Sequence, residues 1–281
     1  MGLFDRLAAP ARRGSAMTED DLRPTSRPVN PVPDVDAEDS ELEESVREHL
    51  ARLTAAAEAD VESLSPEEFD AALTSRLVSA ERMDSTGLGF SYAARFADHV
   101  HEVLTLDLPT AVVTLPDSRV EETGRRVGAL VDRGRTNLLH QLETSPVDVE
   151  VVGDGRRSAF TVTGPSPYTA SFARFLNDAV YRWLPDADTH AGIVFALPHR
   201  HAIVLQTCAT PTQTRDALEF VPALAQSMYL EDPGALSRHT YHWLDRQITC
   251  LTEEDGNGGL TIRPTPFLEN IIGFSGGRRA G

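Results

Sequence analysis

The stretch GIVFALPHRHAIVLQTC, Gly192 to Cys208, constrains the fold more than any other part of the chain. Two runs, IVFAL and AIVL, are apolar at every position and are separated by Pro198, His199, Arg200 and His201. Short apolar runs flanking a polar break read as the two strands of a hairpin. A strand that faces solvent on one side alternates apolar with polar residues, because successive side chains point to opposite faces. These two strands do not alternate. Both of their faces are therefore covered, and they belong in the middle of a sheet with a layer on each side.

The neighbouring segments can supply those layers. VDVEVVGDGRRSAFTVT reads as a second hairpin, with Val147, Val149 and Val151 on one face, Phe160 and Val162 across from them, and Gly153, Asp154 and Gly155 in the turn. SFARFLNDAVYRWL puts Phe172, Phe175, Leu176, Ala179, Val180 and Trp183 on one helical stripe. A further helix, Thr212 to Tyr229, contains Leu218, Val221, Leu224 and Met228, and Pro222 removes a backbone donor that should kink or divide it. HTYHWL and QITCL form a third hairpin around Asp245 and Arg246, LTIR adds an edge strand, and PTPFLENIIG closes with a short helix.

Upstream, TAVVTL reads as a strand, and Asp117 to Leu142 as a helix with Val120, Val127, Val131, Leu138 and Leu142 at helical spacing and a break at Gly134. FSYAARFADHVHEVLTL reads as a helix burying Tyr92, Phe96, Val100 and Val103 or Leu104. The order predicts an α+β domain over residues 85–273, an antiparallel sheet built from hairpins alternating with packing helices.

An acidic helical arm, residues 41–84, precedes it. Leu42, Val46, Leu50 and Leu53 share one helical face, and SPEEFDAALTSRLVSAER forms a second helix with Ser65 as N-cap, Pro66 at the first position and Glu68 completing a capping box. The stripe of that second helix is Phe69, Leu73, Leu77 and Val78. Residues 1–40, with Pro24, Pro28, Pro31 and Pro33 and few large apolar side chains, read as a disordered leader, and residues 274–281 as a flexible tail.

Charge narrows the partners. Residues 19–70 carry 17 Asp or Glu against four arginines, which accounts for most of the formal net charge of -17. Such a surface repels phosphate backbones, so nucleic acid is not expected as a partner. All 26 basic residues are arginine. No stretch has the ~20 apolar residues of a membrane span or the ~7 to 15 of a secretory signal. Cys208 and Cys250 are the only cysteines and form no CxxC, so neither a disulfide framework nor a structural zinc site is indicated, and a reducing, cytoplasmic setting is expected.

Nothing in the sequence forms a convergent catalytic set. GxSxG, GxxxxGK[ST] and a GxGxxG set between strand and helix are absent, so no nucleotide cofactor is expected. Ser166 lies in the loop TGPSPYT, where capping the following helix accounts for it. Cys208 and Cys250 sit in apolar strands as small buried hydrophobes. Glu121 with Glu122 and Glu253 with Glu254 read as solvated charge.

The one alternative chemistry centres on histidine. His199 and His201, two apart, would point to one side of an extended chain and could share a metal with His239 or His242 as third ligand, which would make a metal-dependent or histidine-assisted hydrolase. No HExxH or 2-His-1-carboxylate spacing accompanies them, and the simpler reading is that Pro198, His199 and Arg200 form an exposed hairpin turn. Catalytic, cofactor and metal residues are therefore all expected to be none.

GIVFALPHRHAIVLQ, then AQSMYLEDPGALSRHTYHW, then QITCL together resemble bacterial proteins of the YtpQ-like type. The likeness covers Gly192 to Leu251 and rests on an apolar strand, an LPxR turn and a PGxLS turn before an aromatic strand. It implies a bacterial cytosolic α+β protein and carries no functional residues across. The alternation of helices and hairpins is also similar to the secretion-chaperone type of fold, whose members bind partner proteins on an exposed sheet or helix surface. Fold likeness alone does not establish function. The expectation is a non-catalytic protein-protein interaction module, chaperone-like or regulatory, with a protein partner and no membrane association.

Overall fold

A computed structural model of the chain describes residues 61, 63–109, 111–153, 157–231, 234–256 and 259–268. The expected leader, the first arm helix and the tail lie outside the described residues. The fold is α+β, with two antiparallel sheets and a two-stranded ribbon.

The larger sheet holds the central hairpin. Its strands are β5 (Asp148–Gly153), β6 (Ser158–Thr163), β7 (Ile193–Ala196), β8 (Ala202–Thr207), β9 (Thr240–Leu244) and β10 (Gln247–Cys250), in the order β10-β9-β7-β8-β6-β5. β7 and β8 are the two middle strands, and every residue in both is buried. Their side chains divide between two cores. Ile193, Phe195, Ile203 and Leu205 face one layer, and Val194, Ala196 and Val204 face the other.

The second layer is one long helix, α6 (Pro211–Glu231), which presents Ala217, Leu218, Val221 and Ala225 to the sheet. Pro222 does not divide it. On the opposite face lie a 3-10 helix (Thr169–Phe175) and α5 (Leu176–Trp183), which carry Phe172, Leu176 and Val180 into the first core. The single amphipathic stripe predicted there is thus split between two helix types.

The smaller sheet departs most from the sequence reading. Residues 66–82 are not one helix: α1 (Pro66–Ala72) ends at β1 (Leu73–Ser79), and α2 (Ala80–Ser85) follows it. The capping box of Ser65 and Glu68 is present at the start of α1. FSYAARFADHVHEVLTL is not a helix either, but a hairpin of β2 (Ala94–Ala97) and β3 (Val100–Asp107) turning at Asp98 and His99, with His99 at φ 67. β1 pairs with β3 in unbroken register from Leu73 opposite Leu106 to Ser79 opposite Val100. This pairing decides the outcome. Leu73, Leu77, Val100 and Leu104 satisfy a helical period as well as a strand period, and a full ladder between two buried strands overrides the weak local preference. The ladder also crosses residue 84, where the sequence placed the end of the arm. β1 occupies one edge of β3; β2 pairs with the first half of its other edge, and β4 (Val112–Thr114) with the second.

The helical stretch after β4 breaks earlier than expected, into α3 (Asp117–Glu122) and α4 (Val127–Thr144). The break falls at Gly124, with φ +62, and not at Gly134. Gly134 is buried in the middle of α4, where its missing side chain lets the helix approach β1: a Cβ there would stand 3.0 Å from the backbone nitrogen of Ser75. A ribbon of β11 (Thr252–Glu254) and β12 (Leu260–Ile262) follows, and helical residues 266–268 end the described chain.

Candidate functional site

The turn between β7 and β8 is half-buried, not exposed, because the segment after α6 runs beside it. Leu236 N–H donates to Pro198 O at 2.9 Å, Ser237 N–H to Leu197 O at 2.9 Å, and Arg200 N–H to Gly234 O at 3.2 Å. The LPxR turn and the PGxLS turn are therefore bonded to each other.

Within the turn, His201 is consumed by protein partners. Its Nδ1 lies 3.2 Å from Gly164 O and 3.1 Å from Ser166 O, both acceptors, so Nδ1 carries the proton. Its Nε2 accepts from Arg200 Nε at 2.9 Å. Neither nitrogen is left for a metal. His199 Nδ1 accepts from the His201 backbone N–H at 3.3 Å.

His239 stacks on His99 with ring centroids 4.1 Å apart and places Nδ1 3.2 Å from Thr252 Oγ1. His242 stacks on Phe267 and donates from Nε2 to Ala191 O at 3.2 Å. Burial holds both His239 and His242 below the usual histidine range, and the neighbouring His99 adds to the effect on His239. Among the described residues no group of three or more His, Cys, Asp or Glu is placed to hold a metal ion. These histidines join elements of the fold.

Cys208 and Cys250 are buried, and burial raises both thiols above their ordinary range. Ser166 Oγ accepts from the Tyr168 backbone N–H at 3.2 Å, opening the 3-10 helix.

Among the described residues a concave feature lies elsewhere, at the junction of the two sheets. A groove of about 740 Å³ is bounded by β2, the β9–β10 hairpin and the junction of the 3-10 helix with α5. That volume is within the usual range for binding pockets, roughly 300 to 1,000 Å³. β2 and β10 lie against each other, and among the described residues each has a strand partner on one edge only.

Its walls are built by local irregularities. In β2 the register shifts between Arg95 and Ala97, so Phe96 has no partner on β3 and turns toward the groove. At the far side Asp245 and Arg246 take φ 49 and φ 65, the two-residue turn that matches strand twist, and this sets Trp243 opposite Ile248 on the wall. Phe175, at the end of the 3-10 helix, adds a third aromatic ring.

The floor is charged. Glu102 of β3, 6% exposed, accepts from Arg135 Nε at 2.8 Å and Nη2 at 2.6 Å, and from Arg174 Nε at 3.2 Å. Burial alone would raise the Glu102 carboxyl, but the Arg135 hydrogen bonds and the charges of Arg174 and Arg135 outweigh it and hold the group below the usual carboxylate range. Glu102 therefore stays ionised and fixes two guanidiniums, one from α4 and one from the 3-10 helix, at the base of the groove.

None of this cluster was singled out from sequence. Read as a helix, VHEVLTL leaves Glu102 on a polar face. Read as a strand, it puts Glu102 on the same side as Val100, Leu104 and Leu106, and a carboxylate in that row must find a cation.

The fold and groove define an α+β protein with two antiparallel sheets and an arginine-floored cleft where their edges meet. No protein-family model, no curated protein sequence and no solved structure matches the chain.

Proposed function

We propose that the protein is a non-catalytic binding module that holds an extended segment of a partner protein in the groove between β2 and β10. The observation that carries this reading is one cleft that holds three aromatic rings and is walled by β2 and the β9–β10 hairpin, where β2 and β10 each end a sheet. A strand edge offers a row of backbone donors and acceptors, and an extended peptide completes it while neighbouring pockets take alternate side chains. The engagement of His201, His239 and His242 by protein groups supports binding over metal-dependent hydrolysis. A bacterial cytoplasmic protein with a chaperone-like or regulatory role fits this reading. Among the described residues no helix is long and apolar enough to cross a membrane.

The test is affinity selection of random displayed peptides on the full chain and on Ala94→Trp. Ala94 is exposed and lines the groove, so the larger side chain fills the cleft without entering the core. Peptides enriched on the parent and lost on Ala94→Trp are the expected result. Equal enrichment on both would place binding elsewhere.

A further inference from the structure

We propose that the groove selects partner segments bearing a carboxylate side chain, which Arg174 and Arg135 hold while flanking apolar side chains rest on Phe96, Trp243 and Ile248. This inference rests on reading the groove as a docking site for an extended segment, and it adds the chemistry of what docks.

The guanidiniums are placed for it in advance. Arg135 uses Nε and Nη2 on Glu102, whereas Arg174 uses only Nε, and the Arg174 Nη groups have no hydrogen-bond partner among the described residues. A guanidinium carries five donors in a rigid fork that matches a carboxylate. Arg174 and Arg135 are each about one-third exposed, so their open donors meet the cleft while Glu102 anchors them from below. An oriented arginine loses less freedom on binding than a free one, which favours affinity.

Charge bears on the kind of anion. Arg135 and Arg174 share the single carboxylate of Glu102, which leaves one positive charge at the floor, while Arg95 is paired with Asp98 at the rim. One carboxylate balances it. A phosphate dianion would exceed it and face Asp178 and Asp245. Arg246 is exposed and has no ion-pair partner among the described residues, so it can follow the ligand from the rim.

The test uses the peptides selected on the full chain, remade with Gln or phosphoserine in place of the shared acidic residue. Enriched sequences should carry Asp or Glu at one fixed position between apolar residues, and Glu→Gln should weaken binding about tenfold or more, as loss of a hydrogen bond to a charged group does. Arg174→Gln should abolish that difference. Arg246→Glu, at an exposed turn position, should reduce it and serves if Arg174→Gln does not fold. Enriched peptides without a fixed acid, or equal binding of Glu and Gln forms, would overturn the carboxylate while leaving the groove reading intact. Tighter binding of the phosphoserine form would overturn it in favour of phosphate. A Glu preference untouched by either arginine variant would overturn it by placing recognition elsewhere. Failure of the groove reading is separate: no peptide is enriched, or the same peptides are enriched on Ala94→Trp.

Discussion

Glu102 and Arg135 form a two-pronged ion pair, 2.8 Å and 2.6 Å, that ties the central strand of the smaller sheet to helix α4. Arg174 joins from the 3-10 helix, so one buried carboxylate connects three elements at the base of the groove. A buried carboxylate is costly unless paired, and the cost falls on whichever variant removes a partner.

Arg135→Leu should therefore lower stability by about 2 kcal/mol, since Arg174 remains as a partial partner. Adding Glu102→Gln to that variant should recover part of the loss. Urea midpoints measure both. A double variant less stable than the single would contradict the assignment.

His201→Ala should cost about 1 to 2 kcal/mol, because Gly164 O, Ser166 O and Arg200 Nε lose their shared partner. Added zinc should leave the Tm of the parent unchanged, since both ring nitrogens are engaged. A zinc-dependent rise in Tm that disappears in His201→Ala would revive the metal reading.

Stability should fall as the pH drops from about 7.5 to about 5.5. His239 and His242 have folded pKa values below the ordinary one, so the unfolded chain takes up their protons first. Their contribution is complete above the unfolded histidine range, about 6.5, and declines as the pH falls below it toward the folded values. His239→Gln should make the decline shallower. A denaturant midpoint constant across this window in the parent would contradict the account.

Gly192→Ala should destabilise the protein by about 3 kcal/mol or more. Gly192 has φ +94, and a Cβ there would lie 2.6 Å from Trp243 O and closer still to the His242 ring. The approach of β7 to β9 requires the absence of a side chain. Thermal denaturation of the variant checks this, and an unchanged Tm would show that the strands can part at no cost.

The larger sheet was legible in the sequence because its signals agree. IVFAL and AIVL are apolar throughout, and the β9–β10 turn falls between two aromatic or apolar runs, as read. The smaller sheet was not legible, because Leu73, Leu77, Phe96, Val100 and Leu104 fit two periods at once and only pairing partners distant in sequence choose between them. That ambiguity also hid the groove. Its acidic anchor, Glu102, becomes unusual only once β3 is known to be a strand, and its arginines come from a helix and a 3-10 segment that the fold alone brings together. Gly134 misled for a related reason: a glycine in a helical run signals a break or a close approach, and the neighbour it approaches is β1, which local pattern did not reveal.

The most direct measurement of the central claim is amide hydrogen exchange on the full chain with and without a selected peptide. Docking along the strand edges predicts new protection in Ala94–Ala97 or Gln247–Cys250, with the buried strands β7 and β8 unchanged. Protection confined to the exposed side of α6 or to β5, with none in β2 or β10, would contradict it.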